Sequence, residues 1–213
     1  MMHQRRRAES EETEREARLA AIRQRLLGQH PGEMVVFGEG NPLSQLVLVG
    51  EAPGAEEAAA GRPFVGAAGK LLSRMLASLS LAREDLWITN LVKERPTQTV
   101  DGRTRNRAPT AAEARADLPF LLEELTVIQP RVVVCLGNTP ANSLIHPDFR
   151  MLQEHGLWFA HPLGFQITAT FHPAFILRQS GPERDRLEDQ MLQDLATAAQ
   201  KATNTTTPRR QAP

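Results

Sequence analysis

The chain has 213 residues, and its lysines plus arginines balance its aspartates plus glutamates to a formal net charge of zero. That length fits one α/β domain with a full core, and the balance excludes a surface coated for nucleic acid all over while leaving room for one basic groove. No apolar run approaches the roughly 20 residues of a membrane span and no signal-peptide pattern opens the chain, so a soluble cytoplasmic protein is expected.

Residues 1–10 and 201–213 are polar and are expected to be mobile tails around a single domain over 11–200. From about 11 to 27, Leu19, Ile22 and Leu26 recur at helical spacing among charges, an amphipathic helix. Short apolar runs follow at 34–37 (MVVF), 45–50 (QLVLVG), 85–90 (DLWITN), 131–137 (RVVVCLG) and 165–171 (FQITATF), and these read as strands. Helical patterns lie among them at about 67–79, 110–128, 138–145 and 184–200. Near-continuous apolar strands alternating with helices predict a mostly parallel sheet covered on both faces. The stretch 97–109, TQTVDGRTRNRAP, reads as the longest structureless loop and so as a functional or disordered one.

Parallel sheets bind ligands at the carboxyl ends of their strands. There this sequence places Glu51, Asn90, a helix start after Gly137, and His172. Glu51 is either a surface or capping carboxylate or a base at the crevice floor. The glycine-rich loop around it, with Gly54, Gly61 and Gly66, would let backbone approach a flat ligand and present N–H groups to it. It is no Walker A loop, because Gly69-Lys70 is preceded by Phe64 where glycine is required and followed by Leu71 where Ser or Thr is required. Phe64 is a hydrophobic plug or a stacking platform. Asn90 carries a donor beside an acceptor, the pair that matches O4 and N3–H of uracil. His172 is a core histidine or a ligand-facing one on a rigid turn before Pro173. Arg103, Arg105 and Arg107 are solvated charges or nucleic-acid contacts. His30, His146, His155 and His161 show no usable partner spacing, and no metal-ligating set is expected. Cys135, the single cysteine, reads as a small buried hydrophobe that can form no internal disulfide.

GEAPGAEEAAAGRPFVGAAGKLL, ITNLVKERP and TFHPAFILR, in that order and preceded by VVFGEGNP, resemble the signature segments of the family 4 uracil-DNA glycosylases over about 34–178. The resemblance implies a three-layer α/β/α sandwich around a mostly parallel four-stranded sheet. It implies a monofunctional glycosylase of base excision repair that hydrolyses the N-glycosidic bond of uracil flipped out of single- or double-stranded DNA; a monomer at the nucleoid without an obligate protein partner is the default expectation. Carried over, Glu51 orients or activates water and His172 hydrogen-bonds uracil O2. Gly50, Ala52, Phe64 and Asn90 bind the base, with Phe64 stacking on it. Phe175, Ile176 and Leu177 are candidate wedges in the minor groove, with Arg178 beside them.

Three departures qualify the resemblance. The family carries a 4Fe–4S cluster on four cysteines, and cluster ligation needs four thiolates. Here Glu94 and Asp117 stand at two of those positions and the N-terminal helix has no cysteine, so a cluster-free protein is expected in which Glu94 and Asp117 pair with arginines such as Arg95 or Arg115. Ala58 replaces an aspartate. The long arginine-bearing loop lacks the histidine with which some relatives trap the abasic sugar. Two alternatives follow: a weakly active or inactive DNA- or damage-binding relative, and a glycosylase turned toward hypoxanthine or xanthine.

Overall fold

The computed structural model describes residues 2–204, with side chains from Glu9 onward. Helix α1 (Met2–Gln29) precedes strand β1 (Glu39–Gly40) and strand β2 (Leu46–Gly50). Helices α2 (Ala55–Ala60) and α3 (Ala67–Ser78) follow, then β3 (Trp87–Asn90) and the pair β4 (Thr97–Val100) and β5 (Arg103–Asn106). After α4 (Ala111–Ile128) come β6 (Val132–Leu136), α5 (Asn138–Leu144), α6 (Met151–Glu154), β7 (Phe159–Ala160), β8 (Gln166–Thr170), α7 (Pro173–Ile176) and α8 (Gly181–Thr203).

The main sheet runs β1-β3-β2-β6-β8-β7. Its four central strands are parallel, and the two-residue β1 and β7 add antiparallel edges. Every residue of β2, β3 and β6 is buried, so side chains on both faces of the sheet are covered by helices. This is the α/β/α sandwich expected from the alternating pattern. One contiguous core runs from Leu19 of α1 to Ala202 of α8. Among the described residues no helix is long and apolar enough to cross a membrane.

Three expectations change. The run 34–37 forms no ladder: Val35, Val36 and Phe37 are buried, but only Val36 N–H is tied, to the Lys93 carbonyl at 2.7 Å. An apolar run reads alike in a strand and in a buried extended segment. Helix α1 begins at Met2, within the predicted tail 1–10, and α8 extends to Thr203, past the start of the tail predicted over 201–213. The rest of that tail, 205–213, lies outside the described residues.

The predicted structureless loop is the third change: β4 and β5 form an antiparallel hairpin, with Val100 opposite Arg103 and Thr97 opposite Asn106. Asp101 and Gly102 both take positive φ (52° and 70°), as a two-residue primed turn between twisted strands requires. The hairpin is solvated along nearly its whole length, so the apolar alternation that betrays most strands is missing.

A buried ion pair fastens the layer beneath β3. Lys93 Nζ donates to Glu124 of α4 and, at 2.8 Å, to Thr89 Oγ1, while Trp87 Nε1 donates to the other Glu124 oxygen at 3.2 Å. Lys93 and Glu124 are both fully buried. Each charge has its counter-ion and further hydrogen bonds, the condition under which buried ions are tolerated.

Candidate active site

The chain leaves β2 toward β3 on one side and crosses to β6 on the other, so the ends of β2 and β6 flank a topological switch point. A cavity of about 650 Å³ opens there. Glu51, Ala52, Phe64, Asn90 and His172 line it, which gathers five of the six residues expected at the base pocket. Gly50, the sixth, lies just beneath. A Cβ at Gly50 would sit 2.3 Å from Asn90 Oδ1 and 2.5 Å from Phe64 Cζ, so only glycine lets both side chains close over the end of β2.

Glu51 Oε2 accepts a hydrogen bond from Thr139 Oγ1 in the first turn of α5, which joins the ends of β2 and β6. Asn90 is 2% exposed, and its Oδ1 has no partner among the described residues. A buried acceptor without a donor costs about 1–3 kcal/mol. On the wall of a cavity, that orphan oxygen favours a ligand bearing an N–H.

His172 caps α7, its Nδ1 accepting the Ala174 N–H at 3.0 Å. The imidazole hydrogen therefore resides on Nε2, which is free to donate. Burial, reinforced by the Arg178 charge and opposed by Glu57, pushes the His172 pKa down to about 4. The ring is thus neutral near pH 7. It lies 5.9 Å from the Phe64 ring, centroid to centroid, tilted by 31°.

Phe64 takes φ of 53°, a conformation that a bulky residue rarely adopts unless its surroundings impose it. Arg83 donates to the carbonyls of Pro63 and Phe64, the latter at 2.8 Å, and is itself paired with Glu39 at 2.9 Å. Glu57 holds the other side of the loop. Its Oε1 accepts from the N–H groups of Val65 (3.1 Å) and Gly66 (2.8 Å), and its Oε2 from that of Gly54 (3.1 Å). The glycine-loop donors expected to face a ligand are therefore spent on Glu57: Gly54 and Gly66 directly, while the Gly61 N–H caps α2 on the Glu57 carbonyl. Sequence reading missed Glu57, although a Glu three residues after an N-cap is a capping signal. It also missed Thr139. Ala58 sits on α2 and does not line the cavity.

The expected DNA-contacting residues divide. Arg107 and Arg178 line the cavity, with Arg107 also paired to Glu113 at 2.8 Å. Arg103 and Arg105 are exposed on β5, and the base of that hairpin (Pro96, Asn106) borders the cavity. Phe175 is 37% exposed, with the Arg178 guanidinium 5.9 Å from its ring centroid. Ile176 is fully buried in the core and Leu177 packs partly buried against it, so neither projects as a wedge; the single turn of α7 turns both inward.

Among the described residues no set of thiolates stands together for the cluster that the resemblance implies. Cys135 is buried in β6, and burial pushes its pKa up, so it stays a thiol rather than a ligating thiolate. Glu94 and Asp117 do not pair with Arg95 or Arg115. His30, read as partnerless, bridges them instead, and Arg95 bonds Asn106 Oδ1 at 2.6 Å. Two other histidines are also partnered: His146 with Glu154 and His155 with Asp194, each at 2.9 Å. Glu94, Asp117 and Asp194 come from elements 39 or more residues from their histidines, and Glu154 follows His146 across a loop, so linear spacing did not reveal them.

The profile of the uracil-DNA glycosylase superfamily matches residues 37–196. The chain belongs to that superfamily. Among its similar relatives are three proteins named type-4 uracil-DNA glycosylase. That of Thermotoga maritima is 38% identical over 77% of this chain and 81% of its own. That of Archaeoglobus fulgidus is 47% identical over 67% and 71%, respectively. The Pyrobaculum aerophilum protein is 39% identical over 68% and 74%. All four pocket side chains, Glu51, Phe64, Asn90 and His172, fall inside the superfamily match.

Proposed function

We propose that this chain is a monofunctional uracil-DNA glycosylase, which hydrolyses the bond between C1′ and N1 of uracil flipped out of DNA and leaves an abasic site for base excision repair. The observation that carries the reading is the convergence of Glu51, Phe64, Asn90 and His172 on one cavity in which the Asn90 acceptor is unpaired.

The chemistry follows from those groups. A base within a duplex is out of reach and must be rotated into the pocket at a cost of a few kcal/mol. Stacking on Phe64 offsets part of this, at roughly 1–3 kcal/mol per base. Asn90 accepts N3–H through Oδ1 and donates to O4 through its amide nitrogen, whereas cytosine presents an acceptor at N3 and a donor at C4. As the C1′–N1 bond breaks, its electron pair passes to the uracil ring and positive charge develops on the sugar. His172 Nε2–H donates to O2 of the departing anion, and one such donor is worth on the order of 3 kcal/mol at comparable sites. Glu51 guides water to C1′ and accepts its proton, while its negative charge favours the sugar cation.

DNA approaches across the rim formed by Phe175, Arg178 and the β4–β5 hairpin. Phe175 enters the gap left by the base, and Arg103, Arg105 and Arg178 meet phosphates. The protein works as a cluster-free monomer at the cytoplasmic nucleoid, on single- or double-stranded DNA. The test is a labelled uracil-containing oligonucleotide, incubated with protein and then cleaved at abasic sites with alkali. Strand scission that vanishes in Glu51→Gln while oligonucleotide binding persists is expected. Binding by the wild type without scission would overturn the reading.

A further inference from the structure

Four side chains that do not line the base pocket meet: His30 just after α1, Glu33 in the turn that follows, Glu94 in the loop after β3, and Asp117 on α4. His30 Nε2 lies 3.3 Å from Asp117 Oδ1, and Asp117 Oδ2 accepts the Lys93 N–H at 2.7 Å. Asp117 is 2% exposed. If Nε2 gives its hydrogen to this buried carboxylate, which a backbone donor fixes, the neutral ring carries its lone pair on Nδ1. That lone pair faces two more acceptors, Glu94 Oε2 at 3.1 Å and Glu33 Oε2 at 3.7 Å. With the ring hydrogen on Nε2, three acceptor atoms converge, and a cation at their centre would satisfy all three.

We propose that this is a divalent-cation site, with His30 Nδ1, Glu33 and Glu94 as ligands and Asp117 as the outer carboxylate that orients the histidine. Tetrahedral ligands about 2.0–2.1 Å from a zinc ion stand roughly 3.3 Å apart, and the two measured separations bracket that spacing. The third, between the two glutamates, falls within 4.8 Å. Imidazole nitrogen and carboxylate oxygen both bind zinc, and three protein ligands leave a position for water. Asp117 occupies the place that outer carboxylates hold behind metal-bound histidines.

The site ties the end of α1 to the 91–96 loop, and Asn90 and Pro96 at either end of that loop border the base pocket. A cation there would brace the loop without entering the pocket. This proposal rests on the side-chain cluster alone and stands or falls independently of the glycosylase reading.

The test uses the full chain stripped with a chelator and titrated with zinc chloride, followed by calorimetry and thermal melting. One zinc per chain and a rise in Tm are expected, with affinity lowered by about tenfold or more in Glu33→Gln and in Glu94→Gln. Glu33 is exposed, so its substitution leaves the fold intact and isolates the ligand effect. Asp117→Asn is expected to weaken zinc about 10–100-fold through the histidine. A Tm unmoved by zinc, or zinc bound equally by the wild type and Glu33→Gln, would overturn the proposal.

Discussion

Thr139 and Glu51 are joined across the switch point of the sheet: the hydroxyl on the first turn of α5 donates to the carboxylate that follows β2. The bond fixes one carboxylate oxygen and leaves the other for water. Hydrogen bonds to charged groups contribute about 1.5–3 kcal/mol. Thr139→Val is therefore expected to lower kcat about 10–100-fold with KM little changed, measured by single-turnover cleavage of a uracil-containing oligonucleotide. An equal loss in kcat and rise in KM would mean that the bond serves binding instead.

His172 supplies a pH signature. Its unfolded pKa is near 6.5 and its folded pKa about 4, so between those values the unfolded chain takes up a proton that the native ring refuses. This contribution to stability is complete above pH 6.5, declines as the pH falls, and is lost once the pH passes through about 4. Protonation of Nδ1 would set a donor against the Ala174 N–H. An NMR titration of the imidazole should give a midpoint near 4, and Arg178→Gln should move it upward. A midpoint at the ordinary histidine value would contradict the neutral ring that its half-buried setting imposes.

Phe175 and Ile176 are neighbours with opposite fates. Ile176→Ala opens a cavity in the core and should cost about 2–5 kcal/mol of stability by urea unfolding. Phe175→Ala should leave stability nearly unchanged and reduce cleavage of double-stranded substrate more than of single-stranded, since only a duplex must be pried open. Equal losses on both substrates would remove Phe175 from the wedge role.

The Lys93–Glu124 pair is a stability element. Removing one partner strands the other charge in the core, so Lys93→Met alone should cost about 3–5 kcal/mol, while Lys93→Met combined with Glu124→Leu should recover much of it. Tm values of the two variants decide the point.

Salt should report the hairpin. Every arginine withdrawn from a phosphate lowers the slope of log K against log salt by about 1. Arg103→Ala with Arg105→Ala should therefore flatten the slope by about 2 without altering Tm. An unchanged slope would leave both arginines as solvent-facing charges.

The sequence by itself determined the parallel strands and the helices between them, because burial on both faces leaves continuous apolar runs that no turn or amphipathic helix imitates. It also placed Glu51, Asn90 and His172 at one edge, since strand ends in a parallel sheet share one side. Only the tertiary structure decided what those groups touch. Glu57 draws off the glycine-loop donors, Thr139 holds Glu51, Ile176 turns inward while Phe175 does not, and His30 meets carboxylates from two other parts of the chain. The hairpin at 97–106, solvated and without apolar alternation, left only Asp101-Gly102 as a trace. These meetings depend on distances of a few ångströms between segments remote in sequence, and no local periodicity encodes such distances.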